Sequence, residues 1–77
     1  MKEKIVAYIN DIADGKGISV TEDTDLYETG VLDSVEIIML LSFLQDELGV
    51  QFDSDDLNYE NFQTVAAIVR WAESGRG

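Results

Sequence analysis

Neither cysteine nor histidine occurs anywhere in the 77 residues, which removes the two staples on which short chains commonly rely. Below roughly 80 residues a single core seldom suffices, and disulfides or a structural zinc usually make up the difference. This fold has to be held by apolar packing. Hydrophobic residues make up 45% of the chain, enough for one small core and too few for a second. Their spacing therefore decides the architecture.

The spacing is helical in three places. In "MKEKIVAYINDIADGKG" the residues Ile5, Val6, Ile9, Ile12 and Ala13 recur at short helical intervals along one face. Gly15 and Gly17 then supply a stop, which predicts a first helix over about residues 2–14. From Ser34 to Leu48 the chain is rich in helix formers and Gly49 follows as a C-terminal cap. Asp33 is placed to cap its start by accepting from the N–H near Glu36, while Glu36 reaches back in a capping box. Thr64 caps a last helix, over about residues 65–74, whose Val65, Ile68, Val69 and Ala72 share a face.

Two segments lack that rhythm. "DSDDLNYENF" offers Asp53 or Ser54 as a cap and Leu57 and Tyr59 as apolar anchors, which predicts a short helix over about residues 55–60. Residues 15–33 show no periodicity, but Ile18, Val20, Leu26, Val31 and Leu32 are spaced through them. A loop with so many large apolar groups packs over a core. The expectation is an all-α single domain over residues 1–77, a small four-helix bundle of three main helices plus one short helix with a long first loop.

Charge narrows the functions. Sixteen acidic residues against five basic ones give a formal net charge of −11. Such a surface repels nucleic-acid phosphates and anionic lipid headgroups and suits basic protein surfaces. The longest apolar run, Ile37 to Leu41, is far short of a membrane span, and the start lacks the pattern of a signal peptide. A cytoplasmic monomer is expected.

The stretch "LYETGVLDSVE" joins the long loop to the second helix. Nucleophilic catalysis by Ser34 has no base to draw on, since histidine is absent and every lysine lies in the first helix or just after it. "GKG" at residues 15–17 does not match the phosphate-binding loop of nucleotide hydrolases. A calcium loop started at Asp11 has Ala13 and Gly15 at its third and fifth positions, and one started at Asp53 has Leu57 at its fifth and Thr64 at its twelfth. No metal site and no catalytic residue is expected. A serine in the first turn of a helix does suit a phosphate ester, because unpaired backbone N–H groups and the positive end of the helix dipole face it.

On the second helix Ile37, Leu40, Leu41, Leu44 and Leu48 form the core face. Val35, Ile38 and Met39 form another apolar patch roughly opposite, continued by Ser42, Gln45 and Asp46. The patch is either more core beneath the long loop or an exposed docking surface. Val35 and Met39 favour docking, and Ile38 fits both.

"GVLDSVE" followed by an apolar helix resembles the attachment site of the acyl and peptidyl carrier proteins, in which Asp-Ser-hydrophobic receives 4'-phosphopantetheine from coenzyme A. The resemblance extends over essentially the whole chain, including its acidity, its long first loop, its short third helix and the closing "ENFQTVAAIVRW". It implies that Ser34 bears the prosthetic arm, with Asp33 at the same site, and that Asp33 and Glu36 engage the basic surfaces of the transferase and partner enzymes. Val35, Glu36, Ile38, Met39 and Asp46 are then expected to face the partners. Those partners are a phosphopantetheinyl transferase and acyl- or aminoacyl-activating ligases or synthases with basic docking surfaces, in fatty acid, polyketide, nonribosomal peptide or D-alanyl-type pathways. With two apolar residues before Asp33, the approach looks more like free-standing aminoacyl, D-alanyl or secondary-metabolite carriers than like the "GADS" form of fatty acid carriers. The alternative is an acidic helical interaction adaptor without a prosthetic group.

Overall fold

The computed structural model describes residues 2–75, with Ser54 and Gly75 described by their backbone only. Among these residues there are four α-helices and no strand. They are α1 (Lys2–Gly15), α2 (Ser34–Leu48), α3 (Tyr59–Phe62) and α4 (Val65–Gly75), with a single 3₁₀ turn at Ser54–Asp56. The architecture is a small all-helical bundle of the acyl carrier type, with the long connection between α1 and α2.

Each main helix buries one stripe. Ile5, Ile9 and Ala13 of α1, Leu40, Leu44 and Leu48 of α2, and Val65, Ile68, Val69 and Ala72 of α4 meet in one core. A fully buried aliphatic side chain contributes roughly 1.5–3 kcal/mol, so these contacts replace the missing staples. α2 ends at Gly49, where φ is 67° and Val50 N–H bonds Leu44 O at 3.1 Å. A side chain on that left-handed residue would be strained. At the start of α4, Thr64 Oγ1 accepts from Ala67 N–H at 3.1 Å.

The long loop is the fourth wall of the core. Leu26 and Val31 are fully buried and Leu32 nearly so, with Ile18 and Val20 packed against them. Two backbone bonds stitch it to the start of α4: Leu26 N–H to Gln63 O at 2.8 Å and Ala66 N–H to Glu22 O at 3.1 Å.

The segment between α2 and α4 departs from the expected helix over residues 55–60. Asp53 Oδ1 accepts from Asp55 N–H at 3.1 Å and Asp56 Oδ2 accepts from Asp53 N–H at 3.1 Å, which winds the 3₁₀ turn and stops it. Asn58 then starts afresh, accepting from Asn61 N–H at 3.0 Å, and α3 runs from Tyr59 to Phe62. Two acceptors competing for nearby N–H groups split the element. Its anchor is also different: Leu57 and Tyr59 stand about half exposed, and Phe62 is buried with its ring 5.1 Å edge-on from Trp71. Whether Ser54 acts as a cap lies outside the described side chains.

Candidate functional site

The joint between the long loop and α2 is built from both sides. Gly30, at φ 85°, turns the chain so that Val31 and Leu32 enter the core, and Leu32 N–H bonds Leu26 O at 2.9 Å. From the other side Lys16 Nζ donates to Gly30 O at 2.9 Å and to Val31 O at 3.2 Å, and lies 3.9 Å from Asp33 Oδ2. Asp33 is extended, and its Oδ1 accepts from Glu36 N–H at 2.8 Å. That bond, with the nearby Lys16 ammonium and Val35 N–H adding to it, holds the Asp33 carboxyl below its ordinary range.

The cap runs in one direction only. Among the described residues no bond returns from Asp33 N–H to the Glu36 carboxylate, so the reciprocal capping box is not formed. Glu36 instead lies beside Tyr8 and Met39 in the groove between α1 and α2.

Ser34 is exposed, and among the described residues no group hydrogen-bonds its hydroxyl. It is the first residue of α2, where Asp33 takes up the Glu36 N–H and the positive end of the helix dipole emerges. An exposed hydroxyl beside the positive end of a helix fits a phosphodiester, which carries one negative charge. The chemistry of the site therefore suits attachment. Among the described residues there is also no group of three or more acidic side chains placed to hold a metal ion.

Past Ser34 the outer face of α2 is apolar. Val35, Ile38 and Met39 are 63%, 65% and 54% exposed, so none of the three is core. Glu36 is half-buried and Asp46 exposed further along the helix. On the opposite flank Ile37 and Leu41 join Tyr27, Leu57, Tyr59 and Phe62 around a cavity of about 300 Å³ between α2 and α3.

Sequence reasoning missed a latch on this flank. Tyr59 Oη donates to Asp25 Oδ2 at 2.6 Å and Gln63 Nε2 to the same oxygen at 3.2 Å, while Asp25 Oδ1 accepts from Tyr27 and Glu28 N–H. The Tyr59 hydroxyl is the main reason the Asp25 carboxyl is held below its usual range. The Tyr27 and Tyr59 rings meet in a tilted contact, centroids 4.7 Å apart. Asp25 and Tyr59 are 34 positions apart, so no local spacing could pair them. Asp25 ahead of two free N–H groups was the one legible sign.

An all-helical bundle with an exposed, Asp-capped serine at the head of its second helix defines a carrier-type protein. Residues 3–72 match the family described as the phosphopantetheine attachment site, and the chain belongs to that family. It is similar to the D-alanyl carrier protein of Leuconostoc mesenteroides, 34% identical over 96% of this chain and 94% of the relative. It is also similar to the D-alanyl carrier proteins of Leuconostoc citreum (31%, the same coverage) and Enterococcus faecalis (27%, covering 96% and 95%). Membership decides for the carrier and against an adaptor without a prosthetic group.

The protein is thus a carrier whose prosthetic group is 4'-phosphopantetheine. When bound, that arm supplies a terminal thiol on which an acyl or aminoacyl group is held as a thioester, so a chain without cysteine can carry one. Such proteins carry rather than catalyse, and work with a transferase that installs the arm and ligases that load it. No helix among the described residues is long and apolar enough to cross a membrane.

Proposed function

We propose that Ser34 is the residue that bears the arm, and that the chain is a free-standing, non-catalytic aminoacyl carrier of the D-alanyl type, monomeric and cytoplasmic. The observation that carries the assignment is the exposed, unbonded Ser34 hydroxyl at the first turn of α2, directly after the capping Asp33. Asp33 fixes the helix start that presents the hydroxyl, and the positive end of the α2 dipole favours the phosphate charge.

Val35, Ile38 and Met39 supply an apolar face beside the serine, and Glu36 and Asp46 supply its acidic edge. A partner suited to it presents an apolar cleft rimmed by Lys or Arg. Docking there brings the tethered cargo to the partner's active site at an effective concentration of millimolar order. The relatives named as D-alanyl carriers support an aminoacyl cargo.

The test is loading. Holo protein incubated with ATP, labelled D-alanine and a D-alanine-activating ligase from one of the related organisms takes up label in a bond cleaved by hydroxylamine. The label maps to the fragment containing Ser34, and Ser34→Ala takes up none. Label retained by Ser34→Ala removes the site assignment. Loading by another amino acid or acyl group in preference to D-alanine removes the cargo assignment.

A further inference from the structure

Eighteen residues separate the end of α1 from Ser34 (residues 16–33), and a chain of that length does not by itself fix where its end lies. Buried Val31 and Leu32 hold the segment from the core side. From the solvent side Lys2 pairs with Glu22 at 2.7 Å and Tyr59 and Gln63 hold Asp25, and next to the serine Lys16 takes over.

The base of that side chain is held firmly. Lys16 N–H bonds Ile12 O and Ala13 O at 3.2 and 3.0 Å, and Ile18 N–H closes back on Ala13 O at 2.8 Å. These bonds make Lys16 part of the C-terminal cap of α1, and α1 is anchored by Ile5, Ile9 and Ala13 in the core. From this fixed point the ammonium crosses 14 and 15 positions of chain to the Gly30 and Val31 carbonyls. Two of its three donors are used on consecutive carbonyls, which defines the direction of the backbone as well as its position. Asp33, two residues on, is the cap of α2 and the neighbour of Ser34.

We propose that Lys16 is a positioning residue for phosphopantetheinyl transfer: it clamps Gly30 and Val31 to the end of α1 and so sets the placement of Asp33 and the Ser34 hydroxyl. The inference rests on Ser34 being the attachment residue. Lys16 touches no reacting atom. A cation beside the serine on a chain of net charge −11 would otherwise read as a flaw in the acidic surface that partners recognise. Its bonds to carbonyls give it a different role, because they engage two of its donors on the chain's own backbone.

The experiment compares initial rates of modification of apo wild type, Lys16→Met, Lys16→Arg and Ser34→Ala by a promiscuous phosphopantetheinyl transferase with coenzyme A. The clamp predicts that Lys16→Met lowers kcat on the order of tenfold, as a small misplacement of a reacting group does, with KM within about twofold. Lys16→Arg recovers most of the rate, because a guanidinium retains donors for the same two carbonyls. Beyond those next to residue 16 itself, amide shifts in Lys16→Met fall at residues 30–36, with helix content unchanged. An unchanged kcat, an effect on KM alone, or an arginine variant as slow as the methionine variant overturns the clamp.

A second readout does not need a folded variant. In the wild type the Lys16 ammonium gives a slowly exchanging ¹H–¹⁵N signal that the exposed Lys4 lacks, and equal exchange at the two lysines overturns the clamp. The two readings fail separately. Modification of Ser34→Ala at the wild-type rate sinks the attachment site, whereas an inert Ser34→Ala alongside a Lys16→Met of wild-type speed sinks the clamp alone.

Discussion

At Asp25 and Asp33 single carboxylates hold pieces of backbone in place. Asp25 is kept ionised chiefly by the Tyr59 hydroxyl and Asp33 chiefly by the Glu36 N–H. Both folded-state pKa values lie below the ordinary carboxylate range, so the stabilisation they give is present above the unfolded pKa and is lost as pH falls through the folded one. Protonating the many other acids works in the opposite direction, because it relieves repulsion. The Asp25 contribution is therefore isolated by a difference. Asp25→Asn lowers the melting temperature at pH 7, and the gap from wild type narrows at pH 3. A gap that stays constant with pH would show that the charge on Asp25 is irrelevant to the latch. At Gly49, with φ 67°, substitution by alanine costs about 1 kcal/mol of stability in chemical denaturation; an unchanged midpoint would mean that the helix end relaxes freely.

Among the elements, α2 does two jobs on two faces. Leu40, Leu44 and Leu48 face inward, and Val35, Ile38 and Met39 face out. Met39→Glu accordingly leaves the far-UV circular dichroism unchanged and weakens productive contact with a partner enzyme, seen as a raised KM for loading. Loss of helix content in that variant would place Met39 in the core. Phe62→Ala, in contrast, removes the anchor of α3 and costs about 3–5 kcal/mol, a large share of the roughly 4–11 kcal/mol expected for a chain of this size. The inward stripes of α1, α2 and α4 were legible because a 3.6-residue period repeats over three or four turns. The exposure of Ile38 was not, since a central helix can be covered on more than one side and periodicity does not say by what. α3 was misplaced because Asp53, Asp56 and Asn58 each offer an acceptor, and only the packing of Phe62 against Trp71 decides which turn continues. Ser34 and its capping Asp33 were readable as a pair, whereas the bonds from Lys16 and Tyr59 join positions too distant for any local pattern to reveal.

Over the whole molecule, a net charge of −11 pushes stability and recognition in opposite directions with salt. Screening relieves self-repulsion, so raising sodium chloride from about 20 mM to 0.5 M, where the Debye length falls several-fold, raises the melting temperature. The same change weakens binding to a basic partner. Stability that falls with salt would contradict the charge reading. The shape of the molecule suits a carrier, since a core shared by the helices and the long loop leaves the Ser34 end of α2 exposed, and a bulky group can be joined there without disturbing what holds the fold. That claim is tested most directly by intact mass. After coexpression with a phosphopantetheinyl transferase, the wild type gains the mass of one phosphopantetheinyl group and Ser34→Ala gains nothing. A wild type left unmodified under conditions that modify a control carrier, or a Ser34→Ala variant carrying the same added mass, would contradict it.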